Sequence, residues 1–376
     1  MAGLFFMCIF LVVFAYFGYP LTLMMINRFH HKTSRKARHQ PYVTLIITAY
    51  NEEKRIREKL ENTLKLEYPR EQLQVVVASD GSTDATNGIV EEYEDKGVEL
   101  LHVTRRGGKE NAQREAVQAA RGDVLVFSDV ATQLNPDGLQ QIIDNFADPE
   151  IGCVSSVDRV IGKDGRPGGE GAYVRYEMWL RALESKVHSL VGLSGSFFAA
   201  RKEVCRDFSP DMQSDFRTLL NSMRLGLRGV SDPEAIGYYL DVADSRREFD
   251  RKVRTVLRGL TVFFRNLEFL NPLRYGFFAY QYFCHKLLRW LVPLFLLGAF
   301  VFNLFLIHGS TGYFVLFVVQ LVFYAAAFMG WQNRSQQVHV LLKIPAYFVA
   351  VNAAIMLAWW RYFKGQRLVM WTPSER

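Results

Sequence analysis

Two periodicities alternate through the middle of the chain. Short continuous apolar runs, "YVTLIITAY" (42–50), "LQVVVASD" (73–80), "VELLHVT" (98–104) and "DVLVFSD" (123–129), read as strands buried on both faces. Between them lie stretches of helical periodicity: "NEEKRIREKLENTLKL", the turn and helix of "GSTDATNGIVEEYEDKG", and "KENAQREAVQAAR". Strands alternating with amphipathic helices predict an α/β domain around a mostly parallel, Rossmann-like sheet, over residues 28–250. In such sheets ligands collect beyond the carboxyl ends of the strands. Polar residues stand at three of those ends: Asn51 with Glu52, Asp80 and Asp129.

The pattern changes at both flanks. Residues 3–26 carry no charge over roughly the 20 apolar positions a membrane span needs, so 1–27 is predicted to be a transmembrane helix. A secretory signal would show a shorter apolar core, a basic region before it and a small-residue cleavage site after it. Arg28, Lys32, Arg35, Lys36 and Arg38 follow at once and predict a cytoplasmic position for the domain behind them. The stretch "FDRKVRTVLRGLTVFFRNLEFL" (249–270), which makes up the first part of 251–286, alternates basic and apolar faces at helical spacing. That is the pattern of helices lying in the membrane interface. Within 287–362 there are three further apolar segments, 287–307, 313–331 and about 340–360. The last reads either as a span, which would put the basic tail outside, or as an interfacial or re-entrant piece broken at Pro345; the expectation is a cytoplasmic tail, 363–376. The whole predicts an integral protein of the cell inner membrane.

Composition agrees with that division. Of 376 residues 49% are hydrophobic and 29 are Phe, rich for a soluble chain. A net charge of +7 would suit nucleic acid, anionic lipid or anionic substrates. The basic residues gather beside the apolar segments, which points to membrane lipids and not to nucleic acid. Cys8, Cys153, Cys205 and Cys284 have no spacing suited to zinc or a disulfide framework. "NRS" at Asn333 matches a glycosylation sequon but falls in a predicted cytoplasmic loop.

Several nucleotide and hydrolase chemistries are excluded by position. No G-x-G-x-x-G follows the first strand. "RRGGKE" has a lysine after glycine, but Val103 stands where a phosphate loop needs its first Gly, and Glu110 stands where it needs Ser or Thr. "GLSGS" does not place Ser194 between the glycines of a nucleophile elbow. What remains is a set of acids at strand ends and a lysine in a glycine turn. Such acids bind a base or ribose, or hold a divalent cation against a diphosphate. Read alone, Asp80 and Asp84 are equally turn and helix caps, and Asp215 equally an acid at a helix start.

Five blocks taken in order resolve part of this. "VTLIITAYNEE", "VVVASDGSTDAT", "RRGGKENAQREAVQAARGDVLVFSD", "SGSFFAARKEV" and "MQSDFRTLLNSMRLGLRGV" resemble the inverting, membrane-bound family 2 glycosyltransferases of GT-A fold. The resemblance covers about residues 40–260. It implies that Asn51, Glu52, Asp80 and Lys109 bind a nucleotide sugar, expected to be a UDP-sugar. Asp129 would be the first acid of a D-x-D motif, facing Mg²⁺ or Mn²⁺ and the diphosphate. Gly195, Ala199 and Arg201 would shape the acceptor side. Asp215 would be the general base, and Arg254 would grip the diphosphate. The implied reaction adds a sugar to a glycan or lipid-linked acceptor with inversion, with possible partners in a polysaccharide assembly complex.

Three residues depart from the family pattern. Ala131 replaces the second acid of D-x-D, Ser214 stands where a Glu is common, and Thr255 replaces the Trp of the Q-x-x-R-W motif. The last weakens a competing reading as a processive synthase-translocator. Ala131 keeps open a third, a catalytically silent nucleotide-sugar-binding subunit.

Overall fold

The computed structural model describes residues 1–161, 172–240, 245–332 and 339–368. Asn333 and the tail beyond residue 368 lie outside the described residues. The chain divides into two compact units, Met1–Thr22 with Asp244–Arg367, and Leu23–Ala243 with Leu368–Arg376.

The second unit is built on one eight-stranded sheet. Its strands are β1 (Val43–Ala49), β2 (Leu73–Asp80), β3 (Val98–Val103), β4 (Val124–Asp129), β5 (Gln133–Leu134), β6 (Ile151–Ile161), β7 (Phe197–Arg201) and β8 (Arg228–Leu240). Their spatial order is β3-β2-β1-β4-β7-β6-β8-β5. The four apolar runs form the parallel half, β3-β2-β1-β4. Helices join these strands as crossovers, which is what parallel pairing requires. Beyond β4 the sheet becomes mixed: β7 is antiparallel to both β4 and β6, β8 is parallel to β6, and β5 is antiparallel to β8. The core under one face joins Val43, Leu45, Ile47, Val75, Val126 and Ile143, all essentially without exposure.

Part of the basic run after the first apolar segment serves this unit and not only a membrane surface. The Lys36 ammonium lies 2.9 Å from the buried Asp232 carboxylate and 2.6 Å from Glu234. The Arg35 and His39 amides donate to Asp148 and Asp144 at 3.0 and 2.9 Å. Residues 35–39 are thus a strap along the domain, and their charge is partly balanced by protein acids.

The first unit is helical. Among the described residues four helices are long and apolar enough to cross a membrane: Ala2–Phe29, Phe277–Leu306, Thr311–Gln332 and Val340–Phe363. The last runs unbroken through Pro345, as one continuous helix and not as a piece broken at the proline. A proline removes one backbone bond, and an apolar helix of this length keeps the rest. Phe5 and Cys8 pack with Ala299. Asn303 donates to Gln320 at 3.0 Å, so the helices Arg289–Leu306 and Thr311–Gln332 share a polar contact between apolar faces. The amphipathic helix Ser245–Phe264 packs along Val340–Phe363 through Phe264, whose ring centroid is 5.7 Å from that of Trp359.

Candidate active site

The register of the sheet brings several strand ends to one edge. Thr48 is level with Asp129, Ala49 with Ser79 and Asp80 with Val103. Because β7 runs antiparallel to β4, its start lies at the same edge, with Phe197 opposite Ser128. The turn Ser194-Gly195-Ser196 is therefore delivered beside Asp129, and the Asp129 amide donates to the Ser196 carbonyl at 2.9 Å.

Asp80 is fully buried, and its two carboxylate oxygens accept the Gly107 and Gly108 amides, each at 2.8 Å. Gly108 has φ +91°, a conformation that side chains resist and glycine accepts. The acid and the two glycines together fix the turn that presents Lys109. The Lys109 ammonium donates to Asp129 Oδ1 at 2.5 Å and to the Gly195 carbonyl at 2.9 Å. Gly195 in turn lies against Asp215, since a Cβ at this position would stand 2.8 Å from Asp215 Oδ2. Asp215 opens the helix Ser214–Arg224; its Oδ1 accepts the Phe216 amide and its Oδ2 accepts from Gln213. Lys109, Asp129, Gly195 and Asp215 thus form a continuous row.

Asn51 and Glu52 sit at the end of β1, in a loop laced to the one after β2. Asn51 takes φ +50°, which asparagine tolerates, and its Oδ1 accepts the Thr83 amide at 2.8 Å. The Glu52 amide donates to Thr86 Oγ1, and its carboxylate binds Arg55 at 2.7 Å. Burial raises the Glu52 carboxyl above the usual range; Arg55 opposes that, while the nearby Asp129 charge adds to it. Asp84 is held below the usual carboxylate range by its hydrogen bonds to Thr86 and to the Glu53 amide, which outweigh partial burial. The Arg106 guanidinium lies 3.8 Å from the Tyr50 ring centroid, so the glycine turn also meets the β1 loop.

Two residues named from the sequence fall elsewhere. Ala199 is fully buried in the sheet core, paired with Val126 and Val154. Arg201 pairs with Val124, five residues back along β4 from Asp129 and so roughly 17 Å away. Its guanidinium donates to the carbonyls of Phe146, Asp148 and Ile151, so it is a structural arginine and not part of the acceptor side. The antiparallel course of β7 is the reason: only the start of "SGSFFAAR" lies at the site, and each later residue lies further from it. Arg254 belongs to the first unit, on the helix Ser245–Phe264.

Two residues at the site were not anticipated. Asp158, on β6, accepts the Ser194 hydroxyl at 2.7 Å and the Ser196 hydroxyl at 2.5 Å, pinning the turn on both sides of Gly195. Lys59, on the helix Ile56–Leu64, is fully buried with its ammonium on Ser128 and Thr132. Its position was legible: Ile56, Lys59, Leu60 and Thr63 share one helical face, which the helix buries.

A metal ion would have few protein ligands here. Among the described residues no three His, Cys, Asp or Glu side chains gather to hold one. Asp129 is about a quarter exposed, with one oxygen on Lys109. A single carboxylate fits a Mg²⁺-like ion that takes its other ligands from a substrate diphosphate and water.

Residues 44–208 match the family model described as Glycosyl transferase family 2. Beta-monoglucosyldiacylglycerol synthase of Nostoc sp. is 32% identical over 119 residues, 30% of this chain and 25% of that protein. Poly-beta-1,6-N-acetyl-D-glucosamine synthase of Staphylococcus epidermidis is 24% identical over 178 residues, 46% of this chain and 43% of that protein. The chain therefore spans less than half the length of these curated relatives. Among solved structures, the mannosyltransferase PcManGT from Pyrobaculum calidifontis, in complex with GDP-Man and Mn²⁺, superposes with a TM-score of 0.74 at 23% identity. That likeness covers 97% of this chain and 100% of the other, and the two share a fold.

Proposed function

We propose, for a chain that carries a family 2 glycosyl transferase domain of GT-A fold, a membrane-anchored enzyme. It moves a sugar from a nucleoside diphosphate sugar to a glycan or lipid-linked acceptor, with inversion. The observation that carries this reading is the row Lys109, Asp129, Gly195, Asp215 at the carboxyl edge of the sheet. It sets a cation and a metal-competent carboxylate on one side of a glycine and a second carboxylate on the other.

In this reading Asp215 accepts the proton of the acceptor hydroxyl, and the freed oxygen attacks the anomeric carbon. The bond from that carbon to the diphosphate breaks, and the nucleoside diphosphate leaves with the electron pair. Lys109 faces the growing negative charge, and such fixed charges are commonly the larger contribution to rate. A divalent cation on Asp129 would supply further neutralisation of the diphosphate. The loops at Asn51 and Glu52 border the donor side. Asp80 acts on the donor through the glycine turn, because both its oxygens accept backbone amides. Arg254 keeps its diphosphate-gripping role from the sequence resemblance of "RKVRT". The acceptor class is supported by the curated relatives, one named for a glycolipid and one for a polysaccharide. A cytoplasmic catalytic domain is supported by the basic residues that follow the first apolar helix.

Membranes containing the full chain should release a nucleoside diphosphate from one member of a panel of UDP- and GDP-sugars and label an acceptor. Nucleotide binding with no donor turned over would instead make the chain a silent subunit, and a ladder of products would make it a processive synthase.

Gly195→Ala follows from the same geometry. The Cβ would press on the tip of the Asp215 side chain, which can rotate away, so the fold should survive while the carboxylate is displaced. A misplacement of about 1 Å lowers a rate by about 100-fold. Transfer kinetics on a variant with wild-type thermal stability check this.

A further inference from the structure

The helix Ile56–Leu64 turns an unusual pair of side chains toward the turn that carries Asp129. Lys59 is fully buried, and its ammonium donates to Ser128 Oγ at 2.7 Å and to the Thr132 carbonyl at 2.5 Å. Three residues on, Asn62 donates to the Leu134 carbonyl at 2.8 Å and accepts the Leu134 amide at 2.9 Å. These four bonds bracket residues 129–132 from both ends. The turn adds one internal bond, from the Thr132 amide to the Asp129 carbonyl at 3.1 Å. A lysine is almost never fully buried without a reason, because a desolvated ammonium is costly. Two neutral acceptors do not by themselves call for a charge. Burial pulls the Lys59 amine down to about 7, while the Asp129 carboxylate favours its charged form.

We propose that Lys59 and Asn62 form a clamp that sets the position of Asp129 for the donor diphosphate, with Lys59 a positioning residue. This rests on the reading of the site given above. Where Ala131 leaves Asp129 without a second acid beside it, the position of that one carboxylate matters more. The clamp supplies a fixed support at the two ends of the turn, while Lys109 holds the carboxylate itself.

The experiment measures binding of UDP and of GDP, each with Mn²⁺, to the detergent-solubilised full chain, together with donor and acceptor KM. Wild type should bind one of the two nucleotides. Lys59→Met keeps the length of the side chain and removes the charge and both donors. It should weaken that binding roughly 10-fold and raise donor KM in step, as expected for the loss of about 1.4 kcal/mol of site organisation. Acceptor KM should not change, and thermal stability should stay close to wild type. Asn62→Ala, which frees only the Leu134 end, should shift the same two quantities in the same direction by less. Wild-type donor binding in a folded Lys59→Met variant overturns the clamp. If that variant does not fold, unchanged donor binding in Asn62→Ala overturns it. Binding of neither nucleotide by wild type overturns the reading of the site, and the clamp with it.

Discussion

Asp215→Asn is expected to abolish sugar transfer while leaving donor binding nearly intact. The substitution keeps the shape of the side chain. Its Oδ1 can still accept the Phe216 amide, the bond that anchors this residue to the start of the helix Ser214–Arg224. What it removes is the capacity to take a proton. General-base catalysis contributes roughly 10²- to 10⁴-fold, so kcat should fall by about 1,000-fold. Gly195 separates this carboxylate from the Lys109–Asp129 pair, so affinity for the nucleoside diphosphate should change less than threefold, on the order of 0.6 kcal/mol. The check is the split between kcat and the dissociation constant of the nucleotide. A variant with wild-type turnover would remove Asp215 from the chemistry, and one that lost nucleotide binding in parallel would place it on the donor side.

The parallel half of the sheet was legible because its strands are buried on both faces and so read as uninterrupted apolar runs. "LQVVVASD" maps onto β2 residue for residue. The half beyond Asp129 left no such mark. β8 contains Asp232, Pro233 and Glu234, and between Ser231 and Ile236 its pairing with β6 slips past an irregularity. A strand that bulges around a proline shows neither a clean apolar run nor alternation. Without that half, the direction of β7 could not be known, and so Ala199 and Arg201 could not be separated from Gly195. The acids at the strand ends were visible as types, but their partners were not. That Asp80 binds two glycine amides, and that Lys109 reaches Asp129, depends on a turn geometry set by φ at Gly108. Lys59 carried a readable signal in its helical face, whereas Asp158 did not, since its role comes from pairing across the sheet.

Excess chelator is expected to stop transfer, and Mn²⁺ or Mg²⁺ to restore it, with Asp129→Ala reproducing the chelated state permanently. Asp129 has no second acid two residues on, because Ala131 offers no side-chain oxygen, and no cluster of three ligating side chains substitutes for it among the described residues. The cation would therefore draw most of its ligands from the diphosphate, and its affinity should depend on the donor being present. The metal concentration for half-maximal rate should then fall as the donor is raised. Loss of a single fixed charge-stabilising group lowers rates by about 100- to 1,000-fold. Asp129→Ala also removes one partner of the Lys109 ammonium, which keeps its bond to the Gly195 carbonyl and so stays near the diphosphate. That residual cation is the reason to expect weak nucleotide binding in the variant and not its complete loss. Ala131→Asp makes the converse change, adding the missing acid, and should lower the metal concentration needed. Titrating Mn²⁺ at several donor concentrations across the three proteins measures all of this. Full activity of the wild type in excess chelator would show that Lys109 and its neighbours neutralise the leaving diphosphate without a metal.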